Sequence, residues 1–446
     1  MKKYLGALSV AFLCVVGAVS AGPSHPVRAA SHTTLQLFLG KINTPPTAQA
    51  QLMKQLIATF EKQNPSISVN YAVYASAAEE TTTLETALAT RTGPNVFEFG
   101  STIVPVAYST GGFPTVSAQD WAAVGGKSRF FPAQLKMGGP SSNKMIAIPE
   151  YMLPFALVYN KAMFKAAGIS SPPTTWTQFI KDAQRLTVSS KKQWGVAMDP
   201  SDPFDPWHIL WLLSKQMGGD FVTPDLKTAT LNSSTVYNAA SFWFDWITKY
   251  KIADPTDVTY KGPDELAAFE QGHAAMLVMQ GPTLIPSLNK SPVKNDYAYG
   301  PMPTVPYGMS SMAKGGEPVQ TFISGQYYAI PQYTPDRQAA LKWVEFVTAV
   351  PQQRLFFQYY GYLPINVAAY KDYPSLDTPL IKTFLDAENH AYPTPFTGAW
   401  GPVEVAVGAA SVKVADAIGT HSYQAGDLKA ALQSVNGEAQ HALNQH

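Results

Sequence analysis

The spacing of apolar residues predicts the first regular structure in the chain. Residues 34–40 alternate between apolar and polar positions, as do residues 67–73, and this period of two is typical of β-strands. Between them, residues 52–60 repeat apolar side chains at steps of three and four, which is the buried face of an amphipathic helix. Strand, helix and strand in this order predict the start of a doubly wound α/β domain.

The same patterns continue along the chain, whose 446 residues are enough for two or three domains, each with its own core. The further predicted elements are helices at residues 83–90, 265–269 and 336–347, strands at residues 95–99, 277–279 and 321–330, and helical segments within residues 174–250 and 403–443. No internal repeat is visible.

Residues 148–179 contain the clearest start and stop signals. An apolar strand leads through Tyr159-Asn160-Lys161 into a helix that Gly168 closes, and a second helix opens at Thr174-Thr175-Trp176. Gly adopts left-handed backbone angles without strain, and Thr oxygens accept the free N–H groups of a first helical turn. The stretch therefore predicts a strand followed by two short helices.

Four short motifs resemble those of one protein family and occur in its order. They are Tyr159-Asn160-Lys161 with Gly168 and Pro172-Pro173-Thr174-Thr175-Trp176, FEQGHAAM at 269–276, YGPMP at 299–303, and GYLP at 361–364. Each motif alone is weak, because Gly and Pro punctuate any loop. Together they cover nearly the whole mature chain, which resembles the family-1 extracellular solute-binding proteins of ABC importers. That family includes the maltose- and glycerol-3-phosphate-binding proteins.

The resemblance implies the two-lobed α/β fold of periplasmic binding proteins. Each lobe would be a doubly wound sheet with flanking helices, and the ligand would lie in the cleft between them. Lobe 1 would comprise residues 30–148 and 326–370, and lobe 2 residues 149–325 and 371–446. The chain would cross between the lobes near Pro149-Glu150-Tyr151, near residues 322–326, and after Tyr370. A ligand that touches both lobes favours the closed form, which the permease would recognise.

Residues 1–29 are predicted to be a signal peptide. Lys2 and Lys3 precede an apolar run, and small residues at 18–20 or 27–29 offer a cleavage site. An uncleaved membrane anchor is the alternative, although the run is at the short end of what spans a bilayer. The single cysteine, Cys14, follows Leu13 within this run, and a lipoprotein signal needs a small residue there. We expect export to the periplasm or to the extracellular face of the membrane.

Composition narrows the possible partners. The chain carries 32 Lys and Arg against 31 Asp and Glu, so it has no basic stripe for nucleic acid. The mature chain has no cysteine, which excludes disulfides, thiolate metal sites and Cys nucleophiles. Aromatic residues reach 12%; most must be core, but Tyr and Trp also stack on sugars.

The sharpest candidate for ligand binding is the segment DPFDPW at 202–207. Its acids can accept hydrogen bonds from hydroxyl groups, and its rings can cover the apolar face of a sugar. It resembles the acid-Pro-aromatic contact segment of the maltose-type proteins, which implies that Asp202, Phe204 and Trp207 lie in the cleft. The alternative is a rigid helix N-terminus with Asp caps and core aromatics.

Three further residues either bind the ligand or have only a structural role. Trp400 matches a stacking Trp of the family and lies in a Gly-rich loop, where we expect few core neighbours. Glu98 interrupts an apolar strand, so it either binds hydroxyl groups at the cleft or is solvated. Tyr362 matches a tyrosine of the glycerol-phosphate-type members, or else it is a buried Tyr with an internal hydrogen bond.

The resemblance also bears on the type of ligand. Thr283 stands where maltose-type proteins have a Trp, which removes a stacking face for maltodextrin. Met152 and Leu153 replace the phosphate-binding serines of the glycerol-phosphate type, and no Arg lies around Trp400. These positions therefore offer no side-chain donors for a phosphate group. The full set of candidate ligand-binding residues is Lys41, Glu98, Phe99, Asp202, Phe204, Trp207, Thr283, Gly325, Tyr362 and Trp400.

Enzyme motifs are incomplete. Residues 107–111 imitate a nucleophile elbow but lack its strand–turn–helix context, and residues 125–128 imitate a phosphate loop without its upstream Gly. HExxH and CxxC motifs are absent, so we predict no metal and no cofactor. A secreted glycoside hydrolase is the main rival class, because it would also be aromatic-rich with acids in a cleft.

The sequence thus predicts a monomeric, non-enzymatic binding protein of an ABC importer. Its ligand would be a mono- or oligosaccharide captured by hinge closure and delivered to a membrane permease. A glycerol-3-phosphate-type ligand is the alternative within the family.

Stacking by Trp207 and Trp400 gives a first testable prediction. Replacement of either residue by Ala is expected to weaken sugar binding by about 1–3 kcal/mol, because buried aromatic anchors contribute that much to an interface. Titration calorimetry of the mature protein measures the loss. Unchanged affinity in both variants would refute the assignment.

Overall fold

The computed structural model describes residues 32–41, 46–74, 77–424 and 426–445. The predicted signal peptide, residues 1–29, lies outside the described residues. The strands are β1 (Thr33–Gly40), β2 (Ile67–Tyr74), β3 (Val96–Gly100), β4 (Ala147–Met152), β5 (Ala156–Asn160), β6 (Met276–Gln280), β7 (Tyr297–Gly300), β8 (Gly325–Ala329) and β9 (Leu363–Pro364).

Helices make up most of the remaining regular structure. They are α1 (Pro46–Gln63), α2 (Ala77–Thr90), α3 (Val104–Ser109), α4 (Ala118–Ala123), α5 (Pro132–Leu135), α6 (Lys161–Ala166), α7 (Trp176–Leu186), α8 (Pro206–Gln216), α9 (Ser234–Thr248), α10 (Gly262–Glu270), α11 (Ile285–Leu288), α12 (Arg337–Val347), α13 (Val350–Tyr360), α14 (Pro379–Asn389), α15 (Trp400–Gly419) and α16 (Asp427–Leu443). Short 3-10 turns occur at Lys127–Arg129, Ser189–Lys191, Pro255–Thr259, Pro282–Leu284, Val367–Tyr370 and Pro374–Leu376.

The larger sheet has six strands in the order β2-β1-β3-β8-β4-β9. β1 pairs in parallel with both β2 and β3, which is the predicted strand–helix–strand opening. β8 then pairs antiparallel with both β3 and β4, and β9 adds antiparallel to β4. Two strands of this sheet therefore come from late in the sequence.

The smaller sheet has three strands in the order β6-β5-β7, with β5 antiparallel to both neighbours. It therefore differs in detail from the doubly wound arrangement expected for each lobe. Its strands are near-continuous apolar runs because helices and loops cover both faces. Six fully buried tryptophans belong to the core that these strands share with α7, α8, α9, α15 and α16.

The chain passes between the two sheets after β4 and before β8. In these connections the Leu153 N–H donates to the Ser324 carbonyl oxygen (2.8 Å), and the Phe155 N–H donates to Thr321 Oγ1 (2.9 Å). Pro149, Glu150 and Tyr151 themselves lie within β4, so the first connection starts a few residues later than the sequence suggested.

A third segment runs beside these connections. The Ile323 N–H donates to the Tyr392 carbonyl oxygen (2.9 Å), and the Tyr392 N–H donates to the Thr321 carbonyl oxygen (3.2 Å). The predicted strand 321–330 is observed only as the shorter β8. Its first residues pair with Tyr392 instead of with β3 and β4.

A buried polar network backs the connections from the side of α5. The Gln134 amide donates to Glu388 Oε1 (2.9 Å) and to the Ser324 carbonyl oxygen (3.0 Å), and the Tyr327 hydroxyl donates to Gln134 Oε1 (2.7 Å). Burial raises the pKa of Glu388 to about 8. The network therefore links α5, α14 and the second connection.

The start and stop signals of residues 148–179 have the predicted geometry. The Asn160 side chain accepts the Met163 N–H at the start of α6, and Thr175 Oγ1 accepts the Gln178 N–H at the start of α7. Gly168 has φ of +67°, the left-handed conformation that ends a helix.

No helix among the described residues is both long enough and apolar enough to cross a membrane.

Two glycines give a paired test of the fold. Gly361 ends α13 with φ of +74°, and a Cβ there would collide with the Pro282 carbonyl oxygen. Gly437 lies in the middle of α16 with open space around it. We expect Gly361→Ala to destabilise the protein by about 1–3 kcal/mol, and Gly437→Ala to stabilise it by about 0.5–1 kcal/mol.

Urea denaturation of the two variants beside the unchanged protein measures both effects. Equal stability of the two variants would contradict the packing described at Gly361.

Candidate functional site

The parallel strands of the six-stranded sheet end at a common edge. β1 ends at Gly40, β2 at Tyr74 and β3 at Gly100, so their carboxyl ends lie side by side. Ligands of open α/β sheets bind outside this edge, where connections leave in different directions. Glu98 is positioned here by β3, two residues before the strand ends.

Three carboxyl groups and four tyrosines meet near this edge, and we call them the carboxyl–tyrosine cluster. Its members are Glu80, Glu98, Glu150, Tyr74, Tyr151, Tyr328 and Tyr362. The Tyr328 hydroxyl donates to Glu150 Oε1 (2.6 Å), and the Tyr151 hydroxyl lies 3.5 Å from Glu98 Oε1. The rings of Tyr151 and Tyr362 stack with centroids 4.1 Å apart.

Burial governs the protonation of these acids. Desolvation, with a contribution from the charge of Glu80, raises the pKa of Glu98 to about 8, and desolvation raises the pKa of Glu80 to about 8. Burial and the charge of Glu98 hold the pKa of Glu150 well above its usual value. No Lys or Arg is among the causes, so no described cation offsets the burial.

The cluster leaves hydrogen-bonding capacity unused. Glu80 Oε1 and Glu150 Oε2 have no hydrogen-bond partner among the described residues, although both are buried. A ligand rich in hydroxyl groups could supply these partners, because each hydroxyl both donates and accepts. Glu98 is 5% exposed, so the alternative that it is simply solvated is wrong.

A second group, the aromatic cluster, lies where the start of α8 packs against the connections between the sheets. It consists of Phe155, Phe204, Trp207, His208 and Phe322. Phe155 and Phe322, one from each connection, have ring centroids 5.1 Å apart, and both lie within 5.1 Å of the His208 ring. Burial lowers the pKa of His208 to about 3, so its ring is neutral and packs as an aromatic.

The DPFDPW segment forms the start of α8. Asp202 Oδ1 accepts the N–H groups of Phe204 (2.9 Å) and Asp205 (3.0 Å), which closes the turn before the helix. The N-cap residue Asp205 makes no capping hydrogen bond with its side chain, so the expected Asp cap is not formed. Phe204 is 40% exposed and its ring edge approaches His208, so it can offer a face to a ligand. The Asp202 side chain is half-buried and the Trp207 side chain is fully buried.

Trp400 lies in the core. It contacts the rings of Trp207 (5.8 Å), Phe221 (6.1 Å) and Trp211 (6.4 Å) and has no exposed surface. The expectation of few core neighbours for Trp400 is therefore wrong, because the Gly-rich loop brings it into α15 at the helix N-terminus. Trp207 and Trp400 lie together, but neither exposes a ring face, and their stacking on a ligand stays a prediction.

The remaining candidates are dispersed. Lys41 is exposed directly after β1, and Thr283 is half-buried in a 3-10 turn. Phe99 lies in the core with Phe113 at 6.0 Å, on the opposite face of β3 from Glu98. Gly325 starts β8 opposite Met152, where a Cβ would collide with the Tyr151 carbonyl oxygen, so its evident role is backbone packing.

The structure adds residues that the sequence reasoning missed. Tyr151 and Glu150 join the carboxyl–tyrosine cluster, and Phe155, His208 and Phe322 form most of the aromatic cluster. The signal for Glu150 and Tyr151 was the acid beside an aromatic in an apolar strand. Phe155, His208 and Phe322 have no distinguishing sequence context.

Among the described residues, no group of three or more His, Cys, Asp or Glu side chains is arranged to hold a metal ion.

Comparison with known proteins identifies the family. The sequence model described as bacterial extracellular solute-binding protein matches residues 44–354. A binding protein of Brucella abortus is 23% identical over 212 residues, which are 47% of this chain and 48% of that protein. The maltotriose-binding protein of Pyrococcus abyssi is 24% identical over 278 residues, 58% of this chain and 54% of that protein. The chain thus spans about half the length of the curated relatives it matches.

The fold agrees with solved structures of the same class. Maltose-bound MalE3 of T. maritima superposes with a TM-score of 0.72 at 20% identity, covering 92% of this chain and 99% of that one. The expected α/β fold of two-lobed solute-binding proteins is therefore confirmed. The chain belongs to the family of bacterial extracellular solute-binding proteins, as its motifs suggested.

The buried carboxyl groups predict how stability depends on pH. The pKa of Glu98 is about 8 in the folded protein and has its usual value of 4.5 in the unfolded chain. The free energy of unfolding therefore decreases as pH rises from about 4.5 to 8, because only the unfolded chain releases this proton in that range. Glu98→Gln should flatten this decline by up to about 1.4 kcal/mol per pH unit.

Urea denaturation at pH 5, 6, 7 and 8 measures the slope. Glu438→Gln, at an exposed position on α16, serves as the control and should keep the slope of the unchanged protein. A Glu98→Gln variant with an unaltered slope would show that Glu98 stays ionised in the folded protein.

Proposed function

We propose that this protein is the substrate-binding component of an ABC importer and that its ligand is a mono- or oligosaccharide. The observation that carries the proposal is the pairing of two clusters at the connections. In the carboxyl–tyrosine cluster, Glu80 and Glu150 each have an oxygen atom without a described hydrogen-bond partner. The aromatic cluster offers ring surface where Phe155 connects β4 to β5. Sugars need both, since they present hydroxyl groups at their edge and C–H groups on their faces.

The relatives support this class of ligand. The Pyrococcus abyssi relative is a maltotriose-binding protein, and the T. maritima structure holds maltose. A hinge at the connections would let residues 30–148 with 326–370 close on residues 149–325 with 371–446. We propose that the protein is a monomer, is exported through its signal peptide and presents the closed form to a membrane permease.

A phosphorylated ligand has less support. Met152 is buried, and Leu153 uses its backbone in the first connection. The arginines with described partners are occupied elsewhere: Arg129 with Glu345, Arg185 with Asp182, Arg337 with Asp120, and Arg354 with the Ala369 and Lys371 carbonyl oxygens. The site would therefore lack the arginine guanidinium group that commonly binds the phosphate of such a ligand.

We also propose that the protein binds without catalysis. A glycoside hydrolase would use one acid to protonate the leaving group and a second to attack or to activate water. Binding and cleavage are separated by analysing the sugar after the binding measurement.

Titration calorimetry across a panel of neutral mono- and oligosaccharides, together with glycerol 3-phosphate, tests the proposal. We expect a neutral sugar to bind and to be recovered intact, and Phe204→Ala to weaken it by about 1–3 kcal/mol, because Phe204 is an exposed aromatic at the site.

Val405→Ala is the matched control, since Val405 is also exposed but belongs to neither cluster. Binding of glycerol 3-phosphate alone would favour the family alternative. Cleavage of the bound sugar would favour the hydrolase.

A further inference from the structure

The end of β6 lies beside the aromatic cluster. Gln280 is the last residue of β6 and pairs with Ala156 in β5, the residue after Phe155 of that cluster. A Cβ on Gly281, the next residue, would lie 4.0 Å from the Pro154 carbonyl oxygen in the first connection. One side of this strand end therefore adjoins the aromatic part of the proposed site.

The chain that follows β6 reaches the carboxyl–tyrosine cluster. Pro282 lies against Gly361, where an added Cβ would collide with the Pro282 carbonyl oxygen. The residue after Gly361 is Tyr362, whose ring stacks on Tyr151 within the carboxyl–tyrosine cluster. Gln280, two residues before Pro282, is thus placed between the two clusters.

A bulge in β6 sets the position of Gln280. The ladder between the two strands advances by two residues in β5 but by three in β6, from Leu277 to Gln280. Within this bulge Met279 has φ of +53°, a left-handed conformation that is unfavourable for a residue with a Cβ. Bulges re-aim the next side chains of a strand and are common beside binding sites. The strained backbone therefore directs the Gln280 side chain away from the regular alternation of β6.

Two acceptors fix the orientation of the Gln280 amide. Its nitrogen, Nε2, donates to Glu265 Oε2 (2.9 Å) and to the Val278 carbonyl oxygen (3.0 Å). A backbone carbonyl can only accept, so the amide atom that faces it is the nitrogen and not the oxygen. The other amide atom, Oε1, makes no hydrogen bond with any described residue. The half-buried side chain thus keeps one unused acceptor between the two clusters.

Glu265 holds this amide in place. It lies in the first turn of α10 and is 3% exposed, and its side chain has no described hydrogen bond other than the one from Gln280. A Cβ on Gly262, one turn earlier, would lie 3.2 Å from Asp205 Oδ2, and Asp205 follows Phe204 of the aromatic cluster. Glu265 therefore connects the end of β6 to a helix that packs beside the same cluster.

We propose that Gln280 determines specificity at the sugar site, with its Oε1 accepting a hydrogen bond from one hydroxyl group of the ligand and Glu265 acting as the positioning residue for the amide. This inference rests on the proposed function. An amide oxygen can accept but cannot donate, so it favours a hydroxyl group over a carboxylate, a phosphate or an ether oxygen at the same place. One particular hydroxyl group of the sugar must then be unsubstituted.

Titration calorimetry of the mature protein tests this role with D-glucose, D-mannose, D-galactose, maltose, maltotriose and cellobiose as probes. The probe that binds most tightly is then compared with its monodeoxy analogues, each of which lacks one hydroxyl group. We expect one such analogue to bind about tenfold more weakly than its parent sugar because Gln280 Oε1 is left without a partner. Gln280→Met keeps the side-chain length without the amide, so it should bind that analogue and the parent sugar equally.

Two substitutions of Glu265 separate positioning from a general effect on the fold. Glu265→Gln keeps an oxygen atom that accepts from Gln280 Nε2, and it should retain the discrimination against the analogue. Glu265→Met keeps the length without an acceptor and should lose most of the discrimination. The ratio of the two dissociation constants is measured within each variant, so a smaller folded fraction would not change it.

Gln271→Ala is the matched control, because Gln271 is an exposed glutamine directly after α10 and should leave both affinities unchanged. If a probe sugar binds and Gln280→Met keeps every loss seen with the analogues, the role of Gln280 is overturned while the proposed function stands. Equal discrimination in Glu265→Gln and Glu265→Met would reject the positioning role. If no probe sugar binds to the unchanged protein, the proposed function is rejected and this inference with it.

Discussion

The hydrogen bonds between the connecting segments are the constraint on which the rest of the structure depends. Leu153 pairs with Ser324, Phe155 with the Thr321 side chain, and Tyr392 with Thr321 and Ile323. These bonds fix where each sheet begins. They also place Tyr151 at the end of one sheet and Phe155 just before the first residue of the other, so the first connection joins the carboxyl–tyrosine cluster to the aromatic cluster.

The site carries features that cost folding free energy. Three acids are buried without a described cation, and two of their oxygen atoms have no partner in the part of the chain that the structure describes. Burying such groups is unfavourable unless they are neutral or hydrogen-bonded. Asp120, by contrast, is satisfied by Arg337 and by the backbone N–H of Ser117. Asp182, Glu388 and Glu404 each have one buried oxygen atom without a described partner, as Glu80 and Glu150 do. The edge of β1 to β3 differs in that Glu80, Glu98 and Glu150 lie in one cluster, where hydroxyl groups of the proposed ligand could supply the missing hydrogen bonds.

Much of the fold could be predicted from local signals, because alternation in β1 and β2 and the caps at Asn160 and Thr175 act within a few residues. The acid Glu98 in an apolar strand was also visible. The positions of Phe155 and Phe322 were not, since apolar residues in connections look like ordinary strand residues until their pairing is known. Trp400 was misjudged for the same reason: its core neighbours Trp211 and Phe221 are distant in sequence.

The order of strands in the larger sheet has a consequence for how the chain folds. β8 fills the gap between β3 and β4, and Phe97 pairs with Ala329, so the centre of this sheet is completed only when the chain has been made past Ala329. Pairing over such sequence separations slows folding, because a long loop must close first. A growing chain can pair β3 with β1 but leaves the other edge of β3 unpaired until residues 325–329 have been made. The late segment therefore decides when this sheet is complete.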